Sequence, residues 1–417
     1  METEAQSRQH RAAGVAVAAR HVLVLVDSDH ADTPYDVWAA ELGVRLTLLV
    51  SAEKYPQYAH LPEARPIVGY HGSSELERVA MELAGEGFAA VIARGERDVL
   101  RAARLRELLG LPGQHWDSAL PFRDKVLMKT VLREKGLEVP EFAPVRIALD
   151  LFGFIREHGY PVVVKPALGS GSKGTCVLRD EADLTALLAE GLPDHAEVER
   201  FVDGRMYVVD GLVAEGRLSA VFVSHYLNDC LTFHSGGYLG SAQLTRGEPM
   251  VDRLIEYAET VLAALPTPEC TNFHLEVFRT PDDRLVLCEV ASRTGGARTT
   301  GAIRACTGFD LDRRWFAAQL GERIAPGEEL RGAAPGASGG WVLFYPGRGR
   351  LAALPKDPPS FVVEERIKGV IGHRYHGGEK SGDYLGGYVI IGRDADEIAA
   401  NAEELAAWYA GGISWED

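Results

Sequence analysis

Cysteine is scarce, and its spacing excludes two common uses. The 417 residues hold five, Cys176, Cys230, Cys270, Cys288 and Cys306, with no C-x-x-C pair and no zinc-type spacing. They read as buried, reduced thiols of a cytoplasmic protein. Long apolar runs are missing too. No stretch approaches the roughly eighteen residues that a membrane span requires, and residues 1–20 carry charges and alanines without a sustained apolar core, so they read as a disordered leader and not a signal peptide. Basic charge is in short supply: 44 Lys and Arg against 60 Asp and Glu give a net charge of −16. The bulk surface therefore repels polyanions and nucleic acid is excluded as a partner, while a local basic cleft for a single nucleotide stays open. Internal repeats and low-complexity tracts are absent.

What is present is alternation of strand and helix patterns. HVLVLVD from His21 reads as a buried strand, residues 34–42 as a helix, residues 45–50 as a strand, FAAVIAR at 88–94 as another strand, and residues 98–109 as a helix. This is an open α/β sheet, expected to fill residues 21–122. RDKVLMKTVLREK at 123–135 is an amphipathic helix closed by Gly136 with Pro140 soon after, and opens a second domain. From Pro161 the pattern turns to hairpin-like strand pairs, giving an α+β domain over 123–324. Residues 325–338, rich in Gly, Pro and Ala, read as a linker to a C-terminal domain at 339–417.

The loop G-S-G-S-K-G at 169–174 has the G-x-G-x-x-G spacing of a dinucleotide fingerprint. That fingerprint needs a helix after the loop. Here TCVLRD follows, rich in β-branched and apolar residues, so a second strand is expected. A glycine loop between two antiparallel strands can offer its N–H groups to the phosphates of a nucleoside triphosphate, with Lys165 as a phosphate partner. An ordinary glycine hairpin is the alternative.

HLEVFRTPDDRLVLCEVASRTGGA, residues 274–297, holds two strand patterns around turn chemistry. If residues 281–284 form the loop, Thr280 pairs with Leu285. Counting back along both strands then sets Glu276 opposite Glu289 on one face, about 5 Å apart, where like charges destabilise a sheet. A divalent cation resolves the conflict, because Mg²⁺ accepts carboxylate and phosphate oxygens together. A slip of one residue would put the two on opposite faces. His274 shares the face of Glu276, and Arg293 follows directly.

Four segments, RDKVLMKTVLREKGLEVP, YPVVVKPALGSGSKG, VERFVDG and HLEVF with LCEVASRTGG, together resemble an ATP-grasp ligase over most of the chain. The resemblance implies an ATP-grasp fold: an N-terminal open α/β domain, two central subdomains that clamp ATP, and a small C-terminal α+β domain. It also implies that Lys125 and Lys165 bind nucleotide and that Gly169, Ser170, Gly171, Ser172, Lys173 and Gly174 form a phosphate lid. Glu199, Arg200, Phe201 and Val202 match the hinge at the adenine edge, with Glu199 taking the exocyclic amine. Glu276 and Glu289 become ligands of Mg²⁺, for which Mn²⁺ can substitute. Many relatives carry an acidic ribose contact where Met206 stands here, and Asp210 is the nearest substitute. Ala291, where many ATP-grasp enzymes have asparagine, makes E-V-A-S-R similar to the bacilysin-type L-amino-acid ligases.

The implied reaction forms an acyl phosphate and then an amide, with release of ADP and phosphate. Arg293 is expected to hold the carboxylate and the later oxyanion in a bidentate fork. His274 is expected to touch substrate, act as a base, or support the site from behind. Aromatic and small polar residues at 224–240 suit a substrate wall. The partners implied are small carboxylates and amines, and relatives are often homodimers. Two other readings stand beside this one: a biotin-carboxylase or purine-biosynthesis type ligase using a small carboxylate, and an ATP-binding regulator without turnover.

Overall fold

The computed structural model describes residues 20–229, 231–232, 237–324 and 330–416. The expected leader up to residue 19, Cys230, residues 233–236 of the expected substrate wall and residues 325–329 of the expected linker lie outside these. The described residues form two compact units, divided between Ile92 and Ala93. No helix among the described residues is long and apolar enough to cross a membrane.

In the first unit His21–Val26, buried at all six positions, lies parallel to Arg45–Ser51, which lies parallel to Ala64–Ile67. Ala90–Ala93 adds a fourth strand beside His21–Val26. Burial of both faces accounts for the unbroken apolar runs. The strand Ala64–Ile67, ARPI, carries too little apolar pattern to be read from sequence.

The unit closes at residue 92 and not at the expected 122, because residues 93–122 pack with the second unit. Arg94 Nε bonds Asp312 Oδ2 at 2.9 Å, and Ser118 Oγ donates to the Pro266 carbonyl at 2.5 Å.

Among the described residues the second unit holds three sheets, of which a small one joins Arg374–His376, Arg348–Ala353 and Ser414–Glu416, and the other two frame the candidate site. The smaller of the two sets Phe142–Val145, Ala196–Arg200, Val162–Pro166 and Cys176–Leu178 side by side, with antiparallel pairing throughout. Val162, Val164, Ala196 and Val198 face its core with Leu151 and Leu184 from two helices. The period of two then sends Val163, Lys165, Glu197 and Glu199 to the other face.

The larger sheet has nine strands and runs from Leu285–Ala291 through Thr271–Arg279, Arg205–Ala214, Arg217–Tyr226 and Tyr238–Gln243 to Ser338–Phe344, Gly386–Gly392 and Val362–Ile367. The expected C-terminal domain is not set apart from the rest, because Tyr238–Gln243 pairs directly with Ser338–Phe344, and Gly386–Gly392 and Val362–Ile367 extend the same sheet, while Arg348–Ala353, Arg374–His376 and Ser414–Glu416 make up the small third sheet. The described part of the expected linker is also structured. Leu330 pairs with Ala220, and Ala333 bridges Thr245.

Phe273, Leu275 and Val277 pack with Leu254, Ala258 and Val261 of the helix Pro249–Ala264 in the main core. Each such buried side chain contributes about 1.5–3 kcal/mol. The alternate residues His274, Glu276 and Phe278 are thereby fixed on the opposite face.

Candidate active site

A cavity of about 550 Å³ lies between the polar faces of the two sheets. Lys165, Arg293, His274, Glu276 and Glu289 all line it, as do Lys125, Glu199, Phe201 and Val202 and the loop residues Gly169, Ser170, Gly171, Ser172 and Lys173. Gly174, Arg200 and Asp210 do not. Gly174 has φ +71° and closes the loop against Pro166. Arg200 is exposed on the outer face of its strand, where its N–H bonds the Glu141 carbonyl.

Glu276 and Glu289 are paired across the hairpin, as the expected register has it, but by a different route. The turn starts one residue earlier, with Arg279 opposite Leu285, Phe278 opposite Val286 and Val277 opposite Leu287. A bulge at Cys288 then restores the register, so that Glu289 meets Glu276 and Ala291 meets His274. Cys288 also lines the cavity, and burial pushes its thiol pKa up. The four described cysteines are free, and of these only Cys288 is buried, so uniform burial does not hold.

Each glutamate has its own neighbours. Lys125 Nζ lies 3.0 Å from Glu289 Oε2 and donates to the Gly169 carbonyl at 2.9 Å. Asp124 caps the helix Lys125–Glu134 through the N–H groups of Val126 and Leu127, both at 3.0 Å, which orients Lys125 at its first position. Burial alone would raise the Glu289 carboxyl, yet Lys125 and Lys165 hold it below the usual range. Tyr226 donates to Glu276 Oε1 at 3.0 Å, and His274 Nε2 lies 3.4 Å from the same oxygen.

Asp210 is not a ribose ligand in this geometry. Its Oδ1 faces His274 Nδ1 at 2.8 Å and accepts from the Gly295 N–H at 3.2 Å. Burial would lower the imidazole pKa, but the Asp210 and Glu276 carboxylates raise it to about 10. Gly295 is required here, since a Cβ would come within 2.5 Å of Asp210 Oδ1 and 2.8 Å of His274 Nδ1.

A second set of charges was not legible in advance. Lys129, one turn after Lys125, is fully buried and donates to Glu197 Oε1 at 2.7 Å and to Glu199 Oε2 at 2.5 Å. Lys165 Nζ reaches Glu199 Oε1 at 2.7 Å. Both oxygens of Glu199 are thus held by lysines, a set of contacts that sequence reading did not foresee for this residue. Glu199 holds Lys165 in place and raises its ammonium pKa against the effect of burial. The i, i+4 spacing of Lys125 and Lys129 and the i, i+2 spacing of Glu197 and Glu199 were the available signal.

Arg293 Nε pairs with Glu96, which also pairs with Arg123, and Arg293 Nη1 donates to the Thr294 carbonyl at 2.8 Å. Nothing local in the sequence points to Glu96, which lies 197 positions from Arg293. Over the glycine loop, the Ser381 N–H bonds the Gly171 carbonyl at 3.0 Å. A loop near the C-terminus therefore holds the glycine loop over the cavity.

Two acceptor-only carboxylates on one wall form a hard oxygen donor set that fits Mg²⁺. Lysines and a glycine loop beside them fit a polyphosphate. Residues 122–296 match the model of the ATP-grasp domain. The L-arginine-specific L-amino acid ligase of Bacillus subtilis is 26% identical over 264 residues, covering 61% of this chain and 63% of that one. The chain thus spans under two thirds of that relative. Among solved structures, the L-amino acid ligase of Bacillus licheniformis superposes with TM-score 0.76 at 18% identity over 95% of this chain and 99% of that one. The ATP-bound carboxyaminoimidazole ribonucleotide synthase of Aspergillus clavatus gives 0.68 at 18% identity, covering 93% and 97%. With these matches added to the geometry, residues 122–296 are similar to the ATP-grasp domain, and the chain has the fold of the ATP-grasp enzymes named above.

Proposed function

We propose that the protein is an ADP-forming carboxylate–amine ligase acting on amino acids, as in the secondary metabolism that makes dipeptides. The observation that carries this reading is the opposition of Glu276 and Glu289 on the wall of a cavity also lined by Lys125, Lys165 and Arg293. The names of the two L-amino acid ligases above support amino acids as the substrate class.

Lys125, Lys165 and the N–H groups of the glycine loop bind the phosphates, and the backbone of Phe201 and Val202 meets the base. Glu276 and Glu289 hold Mg²⁺, or Mn²⁺ in its place, which when bound neutralises phosphate charge. A substrate carboxylate oxygen attacks the γ-phosphorus as its bond to ADP breaks. The amine of the second substrate then attacks the acyl carbon, the bond to phosphate breaks, and a proton leaves the nitrogen. Arg293 holds the carboxylate and then the oxyanion. His274, held by Asp210 and facing Glu276, positions that carboxylate.

The test is phosphate release with ATP and Mg²⁺ across a panel of amino acids and small carboxylates, with mass spectrometry of the products. ADP, phosphate and a dipeptide in equal amounts are expected. AMP with pyrophosphate would overturn the acyl-phosphate route, bicarbonate dependence would move the protein to the carboxylase-like class, and binding of ATP without release would make it a regulator.

A further inference from the structure

We propose that His30, Asp36 and His60 form a binding site for a zinc-type divalent transition metal in the first unit, independent of the ligase reading. His30 lies on the loop after His21–Val26, Asp36 in the first turn of the helix Tyr35–Leu42, and His60 just beyond the short turn Tyr55–Gln57. One ligand atom from each lies within 4.8 Å of the others, with His30 Nε2 only 2.7 Å from Asp36 Oδ1. Bonds of about 2.0–2.1 Å to a tetrahedral ion place ligand atoms about 3.4 Å apart. To take the ion, the His30–Asp36 pair must open by about 0.7 Å as its hydrogen bond is replaced, and the exposed His60 must close in by up to about 1.4 Å.

The surrounding structure is already organised for this. The His30 N–H donates to Gln57 Oε1 at 3.0 Å, and Gln57 Nε2 donates to Asp29 Oδ1 at 2.7 Å. Tyr58, fully buried, donates to the Ser28 carbonyl at 3.1 Å. The segments that carry His30 and His60 are thus tied together without using the three ligands. Two imidazoles and one carboxylate select Zn²⁺, Co²⁺ or Ni²⁺ over Mg²⁺, the reverse of the preference of Glu276 and Glu289. Three protein ligands leave one position open to solvent. A bare hydrogen bond between His30 and Asp36, with His60 stacked edge-on at 5.3 Å, is the competing account and needs no ion.

The experiment is calorimetric titration of the full chain with Zn²⁺ in millimolar Mg²⁺, which competes for the carboxylate pair. A parallel Co²⁺ titration is read by visible absorption. One equivalent should bind the natural chain, and both His60→Ala and Asp36→Asn should weaken binding at least tenfold and remove the Co²⁺ band. Because His60 is exposed, His60→Ala should melt at the same temperature in metal-free buffer. Absence of binding in the natural chain, or equal binding in both variants, overturns the proposal.

Discussion

Two sheets of the second unit each present a pair of glutamates, and the two pairs are in opposite electrostatic situations. On the smaller of them, Glu197 and Glu199 meet Lys129 and Lys165, two charges against two, with contacts of 2.5–2.7 Å for Lys129 and 2.7 Å from Lys165 to Glu199. On the large sheet, Glu276 and Glu289 face each other directly, and the closest ammonium is Lys125 beside Glu289. A neutralised, hydrogen-bonded cluster holds side chains in place. A carboxylate pair with acceptor capacity left over attracts a cation. Under the proposed function, the difference separates the residues that set the geometry from those that act.

The largest test removes the acting pair. Glu289→Ala should reduce turnover by three or more decades, since charge neutralisation of phosphoryl transfer is worth several kcal/mol. The fold should survive with a lower melting temperature, because the change ends a like-charge opposition but leaves the buried Lys125 without the carboxylate 3.0 Å away. Steady-state kinetics across a range of Mg²⁺ with a melting curve check both. Near-normal activity at low Mg²⁺ would show that the pair holds no catalytic ion.

Lys129→Met breaks the neutralised cluster and should show the reverse pattern. Removing one partner of a buried set leaves uncompensated charge and costs about 3–5 kcal/mol of stability. Activity measured well below the new melting temperature should fall less than in Glu289→Ala. If Lys129→Met melts normally but loses turnover, Lys129 belongs with the acting residues.

What could be read in advance came from periodicity. Alternation put His274 and Glu276 on one face, and strand chemistry after the glycine loop excluded the dinucleotide fold. The glutamate pairing was reached although the turn register was off by one, since the bulge at Cys288 cancels the offset, and a bulge has no reliable local signature. Glu96 and Asp312 meet Arg293 and Arg94 across about two hundred residues, and only the folded chain brings them together. The expected linker failed for a related reason: composition marks weak strand propensity, but a sheet edge nearby can still recruit Leu330.

Arg293 connects the acting set to a structural ion pair, because it lines the cavity while bonding Glu96. Arg293→Lys keeps the charge and loses the planar fork. If the fork holds substrate, about 2–4 kcal/mol of transition-state stabilisation is lost, and turnover drops roughly 30- to 1,000-fold with ATP affinity little changed. A purely structural pair predicts activity within a few fold and a lower melting temperature. Measuring kcat, ATP affinity and melting temperature on this one variant separates the two.

The smallest effect concerns the acid side of Glu96. Burial alone would raise its carboxyl pKa, but the guanidinium groups of Arg293 and Arg123 hold it below the ordinary glutamate value. A carboxyl depressed in the folded state contributes stability that is full above the unfolded pKa, near 4.5, and is lost as pH falls through the lower folded value. Denaturant midpoints should therefore be flat for this group near neutrality and decline below about pH 4.5. Glu96→Gln should be less stable near neutrality, with two guanidinium groups left without their counter-charge, and its decline on acidification should be shallower than that of the natural chain. The Glu199 carboxyl is depressed as well, by Lys129 and Lys165 against burial, so part of the acid decline must persist in the variant. Equal slopes in the two proteins would mean that Glu96 does not carry the linkage, and that Arg293 is held in the cavity by its backbone contact and not by charge.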